Sequence, residues 1–426
     1  MMDVKITELD NGVRVITSSI PHVESVSMGI WVGVGARYEQ KNMSGVSHFV
    51  EHLLFKGTKK RSAVDISQAI EGRGGYINAF TQEEHTCYYV RVPYDQLWHA
   101  QDVLSDMYFN PRLAKSDIDK ERGVIVEEMM MYRDQPHYIV QEMLEGALWK
   151  NHPLGRPVIG TRETLAELNR ARITDYKRKK YVSGNTVFAF AGKVDHEACV
   201  SKVARYAGRL RRRAVPECRK VTHSVAQGNI ALRHKDIEQA HLALGIRLFG
   251  RSDKRRYALK ILNAVLGENM SSRLFQIVRE KHGLAYSVHS GAHLYRDSGA
   301  LVISAGLDRK RSCKAVNLII KELIRLKERQ VGRKELKRAK DYAIGQLRLG
   351  LESTSSQMMW IGDNMISRGK FTHPQEIIER LSSVTAEEVQ SVACSVMKKK
   401  RTSLCMVSPD MTSKDESGIQ TSLQGL

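Results

Sequence analysis

The sequence contains two copies of one structural plan, and this duplication restricts the fold more than any single motif does. A β-rich run at 25–39 (SVSMGIWVGVGARYE) precedes two helical stretches, 46–55 and 63–71, and then the alternating run YINAFTQEEHTCYYVRV. About 210 residues later the same order recurs, from AHLALGIRLFG through a helical stretch at 254–266 to the hairpin pattern AYSVHSGAHLYRDSGALVISAGL. Each half then continues with long helical patterns.

This pattern predicts an α+β fold made of two homologous α/β sandwich domains, each an antiparallel sheet with helices packed on one face. The polar, proline-containing segment 210–228 has no periodicity and is typical of a linker. We therefore expect an N-terminal domain at 1–209 and a homologous C-terminal domain at 229–410. Residues 411–426 are rich in Ser, Asp, Lys and Gly, which predicts a flexible tail.

Cysteine usage and hydropathy exclude several classes of protein. The six cysteines of this 426-residue chain are far apart and form no C-x-x-C pair, so we expect reduced thiols and no thiolate zinc site. No stretch approaches the ~18 uninterrupted apolar residues that a membrane helix requires. The N-terminus lacks the apolar core of a targeting segment. These observations predict a soluble, cytoplasmic protein.

The charge balance raises the question of an anionic partner. The chain has 67 Lys and Arg against 47 Asp and Glu, a formal net charge of +20. The basic residues fall into short scattered runs, such as 177–180 and 398–401, without interleaved aromatics or a DNA-reading motif. We therefore expect no membrane partner, and nucleic-acid binding is the less favoured alternative to solvated helix surface.

One short segment predicts metal chemistry. His48, Glu51 and His52 lie on one predicted helix, with Ser44 as a plausible N-cap and Gly57 as a plausible C-cap. Residues i and i+4 share a helix face, so both imidazoles can reach one metal ion, with the glutamate one turn away near its open side. This is the H-x-x-E-H order of inverted zinc peptidase motifs. Two histidines hydrogen-bonded inside an amphipathic helix interface are the alternative.

A catalytic zinc ion needs a third protein ligand and an open position for water. The helical pattern 116–133 places Glu121 and Glu128 seven residues apart, two turns along one face. Glu127 points about 100° away from that face. On spacing alone, the pair could equally be solvated surface carboxylates.

Five motifs together resemble the pitrilysin or insulinase family of zinc peptidases, in its short-chain branch of processing-type peptidases. They are HFVEHLLFKGT at 48–58, GGYINAFT at 74–81, ERGVIVEE at 121–128, HPLGRPVIGT at 152–161 and GENMSSRLFQIVREKHGLAY at 267–286. The likeness runs over about residues 6–407. It implies one zinc ion per chain, bound by His48, His52 and Glu128, with Glu121 orienting a histidine ligand.

The resemblance also implies an activity, that of a zinc endopeptidase which hydrolyses extended oligopeptides or unfolded peptide segments. Glu51 would be the general base that takes a proton from the attacking water. The chain has no G-x-S-x-G, P-loop or G-x-G-x-x-G motif for competing chemistries. Tyr286 resembles the hydroxyl that stabilises the oxyanion, and Arg279 the group that holds the substrate backbone. Without the resemblance, Tyr286 would be interpreted as a core residue at the start of a strand.

Substrate binding is likewise implied by the resemblance. The strand with Asn78, Ala79, Phe80 and Thr81 would be an exposed edge to which an extended peptide adds as another strand. Phe55 and Phe80 would line a pocket beside the cleaved bond. Their alternative interpretation is as ordinary core aromatics.

The residue sets also suggest an assembly. The long members of the family fuse two such chains, and this single chain retains both the zinc-binding and the Arg/Tyr set, so a homodimer is the simplest partner arrangement. The rival hypothesis is a catalytically inactive structural or partner-binding subunit with the same fold. Metal content together with peptide hydrolysis would distinguish the two.

Overall fold

The alternating apolar runs of the chain form two separate β-sheets in a computed structural model of the protein. The structure describes residues 2–208, 210, 212–222, 229–409 and 413–426, without the side chains of 413–415. The chain divides into two compact units, which are described separately. The first combines Met1–Met130, Arg156–Arg219 and Arg348–His373, and the second combines Met131–Gly155, Lys220–Leu347 and Pro374–Leu426.

The first sheet has six strands in the order β1-β2-β6-β3-β5-β4. The strands are β1 Asp3–Glu8, β2 Arg14–Ser19, β3 Ser25–Val32, β4 Tyr76–Thr81, β5 Thr86–Pro93 and β6 Thr186–Gly192. All neighbouring pairs are antiparallel except β2 and β6, which are parallel. Strand β4 pairs only with β5 and is therefore an edge of the sheet.

The second sheet has five strands in the order β7-β11-β8-β10-β9. The strands are β7 Ile230–His234, β8 Ala240–Leu248, β9 Ala285–Leu294, β10 Gly299–Leu307 and β11 Thr402–Ser408. Only β7 and β11 are parallel. This order repeats β2-β6-β3-β5-β4 of the first sheet strand for strand, so the duplicated α+β plan predicted from the sequence is confirmed.

Helices occupy most of the remaining described chain. They are α1 Val46–Leu54, α2 Ala63–Ile70, α3 Leu97–Phe109, α4 Lys115–Asp134, α5 Pro136–Leu148, α6 Arg162–Glu167, α7 Arg170–Lys180, α8 His196–Ala207, α9 Arg256–Leu266, α10 Ser312–Glu328, α11 Arg333–Leu349, α12 Thr354–Arg368, α13 Pro374–Ser383, α14 Ala386–Val396 and α15 Ser413–Gln424. A π-helical segment, Phe275–Lys281, precedes β9. Among the described residues, none of these helices combines the length and apolarity needed to cross a bilayer.

Each sheet packs helices on both faces, whereas the sequence predicted helices on one face only. In the first unit, one face forms a core with α1, α3, α4 and α7, which we call the first core and which includes Val15, Val26, Phe49, Phe188 and Phe190. The opposite face packs on α12 through Met358, Ile361 and Met365. Strand β6, TVFAFAG, shows the reason, because all of its residues are buried and a strand covered on both faces carries apolar side chains on both.

The second unit follows the same arrangement. Helices α9, α10 and α14 cover one face of its sheet, and α5 covers the other through Val140, Leu144 and Leu148. Helix α5 lies in the first half of the chain but belongs to the second unit, and α12 lies between β10 and β11 but belongs to the first unit, so the compact units are not contiguous halves. The boundary between Arg219 and Lys220 falls inside the predicted linker, 210–228.

The prediction of a flexible tail at 411–426 needs correction. Residues Ser413–Gln424 form helix α15, which buries Ile419 and Leu423 in the core of the second unit. The polar composition of this segment concealed two apolar side chains spaced by four, which share one helix face.

The packing of α12 on the first sheet predicts opposite effects for two glycine-to-alanine changes. A Cβ at Gly362 would lie 2.2 Å from Nε1 of Trp31, whereas a Cβ at Gly345 in α11 would meet nothing within 4 Å. We expect Gly362→Ala to cost about 1–3 kcal/mol of unfolding free energy through overpacking. Gly345→Ala should gain up to about 1 kcal/mol from helix propensity. Urea titrations followed by circular dichroism measure the unfolding free energy of each variant. If both variants were stabilised equally, the close approach of α12 to Trp31 would be contradicted.

Candidate active site

Helix α1 carries the histidine pair, and its apolar face determines where the pair points. Val46, Phe49, Val50 and Leu53 are buried in the first core, so the remaining face is directed away from it. His48 and His52 lie one turn apart on that remaining face, with ring centroids 4.6 Å apart. The sequence prediction of a helix with both imidazoles on one face is therefore confirmed.

A buried carboxylate holds the N-terminus of α1. Glu39 accepts hydrogen bonds from the main-chain N–H groups of Gly45 at 2.8 Å and Ser47 at 2.7 Å. The N-cap is Gly45, with a φ of 92°, and not Ser44 as the sequence suggested. Burial raises the pKa of Glu39 to about 7, although the bonds from Ser47 and Gly45 act in the opposite direction. No local pattern revealed Glu39, because it lies outside the helix that it caps.

Glu128 from α4 approaches both histidines. Its Oε2 lies 3.8 Å from Nε2 of His48 and 3.5 Å from Nε2 of His52. One donor atom from each of the three residues lies within 4.8 Å of the others. Zinc binds nitrogen and carboxylate oxygen at about 2.0–2.2 Å in tetrahedral geometry, which places neighbouring donors roughly 3.3 Å apart. The donor atoms of the three side chains lie somewhat farther apart than this, so the set can hold one zinc ion if the side chains move closer together.

The two imidazoles have opposite protonation tendencies. Burial and the nearby His52 lower the pKa of His48 to about 4, so its ring stays neutral and keeps a lone pair for a metal. Its Nδ1 is buried and has no hydrogen-bond partner among the residues that the structure describes. Burial also acts to lower the pKa of His52, but hydrogen bonding to Glu128 and the charge of Glu51 outweigh it and raise that pKa above its usual value.

Glu121 lies behind His52 on the side away from Glu128. Its Oε2 accepts a hydrogen bond from Nδ1 of His52 at 3.2 Å, and its Oε1 lies 2.8 Å from Nζ of Lys56. A carboxylate at Nδ1 leaves Nε2 of the same ring free of its proton, which is the tautomer that binds metal. Lys56 was missed in the sequence, because it lies in the turn that follows α1, beyond the C-cap residue Phe55.

Glu51 is the remaining acid of the α1 segment. Its Oε2 accepts a hydrogen bond of 3.0 Å from the hydroxyl of Thr81 in β4. Burial raises the pKa of Glu51, and the charge of Glu128 acts in the same direction. A carboxylate with a raised pKa, held by one hydrogen bond, is well suited to exchange protons near neutral pH.

The substrate-binding prediction concerned edge strand β4 and its neighbourhood. Thr81 and Ala79 face α1 and the first core, whereas Phe80 and Asn78 project from the other face of the strand. The ring of Phe80 packs on Trp31 with centroids 5.6 Å apart. Phe55, at the end of α1, packs partly buried against the first core. The two phenylalanines therefore belong to different apolar clusters.

Comparison with known proteins identifies the family. Residues 14–162 match the insulinase (peptidase family M16) domain, and residues 167–342 match the peptidase M16 inactive domain. An uncharacterized zinc protease of Mycobacterium leprae is 39% identical over 397 residues, which is 92% of this chain and 89% of that protein. This chain belongs to peptidase family M16. The resemblance stated from its motifs is confirmed.

Other relatives agree with this assignment. A zinc protease of Bacillus subtilis is 39% identical to this M16 chain over 383 residues, or 90% of the chain and 93% of the relative. The crystal structure of a protease from Helicobacter pylori superposes with a TM-score of 0.90 at 21% identity, covering 96% of this chain and all of that one. A structure from Pseudomonas fluorescens described as a peptidase M16 inactive domain gives a TM-score of 0.89 at 17% identity. These two structures support the M16 fold alone.

Arg279 and Tyr286 lie in the second unit, within the segment matched by the M16 inactive domain. The guanidinium of Arg279 lies over the ring of Tyr286, 5.6 Å from its centroid, and also over Phe275 at 4.8 Å. Tyr286 is 77% exposed, so the alternative interpretation as a core residue is wrong. The structure thus brings these two predicted residues together at the surface of their unit.

The electrostatics of the histidine pair predict different titrations in metal-free protein. Near about pH 6, His48 should be neutral and His52 protonated, because the pKa of His48 is lowered to about 4 and that of His52 is raised. Nitrogen NMR of the imidazole rings across the acidic range measures this directly, with His48→Ala and His52→Ala providing assignments. Joint titration of both rings near about 6.5, the unperturbed value, would contradict the described environment.

Proposed function

We propose that this M16 chain is a zinc-dependent endopeptidase that hydrolyses extended oligopeptides or unfolded peptide segments, with one zinc ion per chain. The observation that carries the proposal is the convergence of His48, His52 and Glu128, whose donor atoms lie within 4.8 Å of one another. Glu51 lies on the same helix as the two histidines, and its largely buried carboxylate is close enough to interact with His52 and Glu128. The zinc proteases among the relatives support the choice of metal.

A zinc ion held by these three residues supplies Lewis acidity towards the scissile carbonyl and lowers the pKa of water to about 7. Glu51 is the base in this proposal and accepts the proton of the attacking water. The Thr81 hydroxyl occupies Oε2 of that carboxylate, which leaves Oε1 for the proton. The same carboxyl group then delivers the proton to the leaving amine, a transfer suited to its raised pKa.

Glu121 acts in this proposal as a positioning residue. Its hydrogen bond with Nδ1 of His52 fixes the tautomer and the orientation of the ring. Nζ of Lys56 in turn lies 2.8 Å from the other carboxylate oxygen, and this ion pair helps to align Glu121.

Peptide binding is proposed to use the free edge of β4. Strand β4 has hydrogen-bonding groups on the side away from β5, so residues Asn78, Ala79, Phe80 and Thr81 can pair with an extended peptide. Main-chain pairing gives affinity with little dependence on sequence, which suits a general oligopeptidase. Phe55 is proposed to contribute apolar contact to the substrate, as is Phe80 from the opposite face of the strand.

Three further proposals rest on the family resemblance. Tyr286 would stabilise the oxyanion and Arg279 would hold the substrate backbone. The active assembly would be a homodimer, since one chain carries both residue sets. Cytoplasmic residence remains a prediction from the sequence. The alternative, an inactive partner-binding subunit, is separated from the enzyme by the first of the two experiments below, which measures both metal content and peptide cleavage.

Replacing the base should separate catalysis from metal binding. We expect Glu51→Gln to retain one zinc per chain and to lower kcat for a quenched peptide by about 10²–10⁴-fold, because the amide cannot accept the proton. His48→Ala together with His52→Ala should remove both metal and activity. Atomic absorption and fluorimetry measure the two properties. Wild-type protein without stoichiometric metal, or an undiminished rate in Glu51→Gln, would refute the proposal.

A matched pair of glutamates on α4 tests the positioning role. Glu121→Gln should weaken zinc affinity by about 10–100-fold, as expected for loss of a carboxylate that orients a histidine ligand. Glu127→Gln alters an exposed carboxylate on the same helix and should leave zinc affinity unchanged. Competition with a chromophoric chelator measures both. Equal zinc affinity in the two variants would show that Glu121 does not orient His52.

A further inference from the structure

A cavity in the first unit is lined by residues other than those of the candidate active site. Its volume is about 430 Å³, within the ~300–1,000 Å³ range of small-molecule pockets. The connection from α3 to α4 contributes Phe109, Pro111 and Leu113 to its wall. Tyr181 and Val182, just after α7, complete much of the apolar lining.

Lys177 of α7 adds a charge to this apolar lining. Its Nζ donates a hydrogen bond of 2.7 Å to the main-chain oxygen of Tyr108 and lies 5.3 Å from the ring centroid of Tyr181. No carboxylate of the described residues pairs with it. An ammonium group has three N–H donors, so hydrogen-bonding capacity remains. Burial lowers the pKa of Lys177 to about 8, as expected for a cation without a counter-ion.

Two arginines extend the positive charge along the cavity wall. Arg178 pairs with Asp175 at 2.6 Å, so its charge is already balanced. Arg213 donates to the main-chain oxygen of Arg178 at 3.1 Å and, like Lys177, has no carboxylate partner within the described ranges. None of the described residues that line the cavity is acidic.

We propose that this cavity binds an organic anion with an apolar body, its carboxylate paired with Lys177 and its hydrocarbon portion against Phe109, Leu113 and Tyr181. A partly buried cation is stabilised by an opposite charge, and none of the described residues supplies a carboxylate partner for Lys177. Because the walls are apolar, an anion with a hydrocarbon portion fits the cavity better than a fully hydrated anion does. The positive lining likewise disfavours an organic cation.

The first test is a calorimetric titration of the full chain with octanoate. We expect saturable binding of one octanoate per chain, weakened at least about tenfold by Lys177→Met, which keeps the length of the side chain and removes its charge. Lys179→Met is the matched control, because Lys179 lies on the same helix but is 63% exposed and pairs with Asp175. That variant should bind octanoate like the wild type.

Two further probes examine the class of ligand. Inorganic phosphate has the charge without the apolar body, and octylammonium has the apolar body with the opposite charge, so each should bind at least about tenfold more weakly than octanoate. Comparable binding of either probe would overturn the proposal. So would unchanged octanoate affinity in Lys177→Met.

A footprint on the wild-type protein avoids any dependence on folding of the variant. Octanoate should protect Lys177 from acetylation by acetic anhydride, detected by mass spectrometry, while acetylation of Lys179 continues at its usual rate. Equal acetylation of Lys177 with and without saturating octanoate would contradict the proposal. The cavity shares no residue with the proposed zinc set, so these outcomes are independent of the peptidase proposal.

Discussion

Burial of one face of α1 in the first core is the constraint on which the candidate site depends. Phe49, Val50 and Leu53 hold the helix against the sheet, and this leaves His48 and His52 only one direction in which to point. Burial of a large apolar side chain contributes about 1.5–3 kcal/mol, so several together fix the rotation of a short helix. The capping carboxylate of Glu39 then fixes where the helix begins.

Charge alternates along the chain of contacts built on that helix. Nζ of Lys56 lies 2.8 Å from Oε1 of Glu121, whose Oε2 lies 3.2 Å from Nδ1 of His52. Nε2 of His52 in turn lies 3.5 Å from Oε2 of Glu128. Partly buried charges require such partners, because each alone would lose its hydration without compensation. The alternation also explains the contrast between the histidines, since His52 lies within this sequence of charges while His48 lies at its end, where burial dominates. The candidate metal ligands and the residues that contact them are thus one electrostatic unit.

The duplicated fold carries the histidine pair in one copy only. In the second unit, α9 follows the strand that corresponds to β3, as α1 does in the first, and its sequence RYALKILNAVL contains no histidine or acid. Both helices bury an apolar face, so the packing is preserved although α9 has no counterpart of His48, Glu51 and His52. Helix α5 comes from the first half of the chain and covers the second face of the second sheet. Helix α12 comes from the second half and covers the second face of the first sheet.

The recurrence of the same order of elements along the chain predicted the duplicated α+β plan, and a spacing of four predicted the helical face shared by His48 and His52. Spacing also placed Glu121 and Glu128 on one helix face, but it left open whether they were solvated surface carboxylates. The prediction of Glu128 as the third zinc ligand came from the family resemblance and not from spacing. Other features depend on residues that are remote in sequence and meet only after folding. Only the tertiary structure revealed four features: the cap from Glu39, the hydrogen bond from Thr81 to Glu51, the helix on the second face of each sheet and the helical C-terminus. The free energy of each of these contacts comes from burial and pairing across the fold.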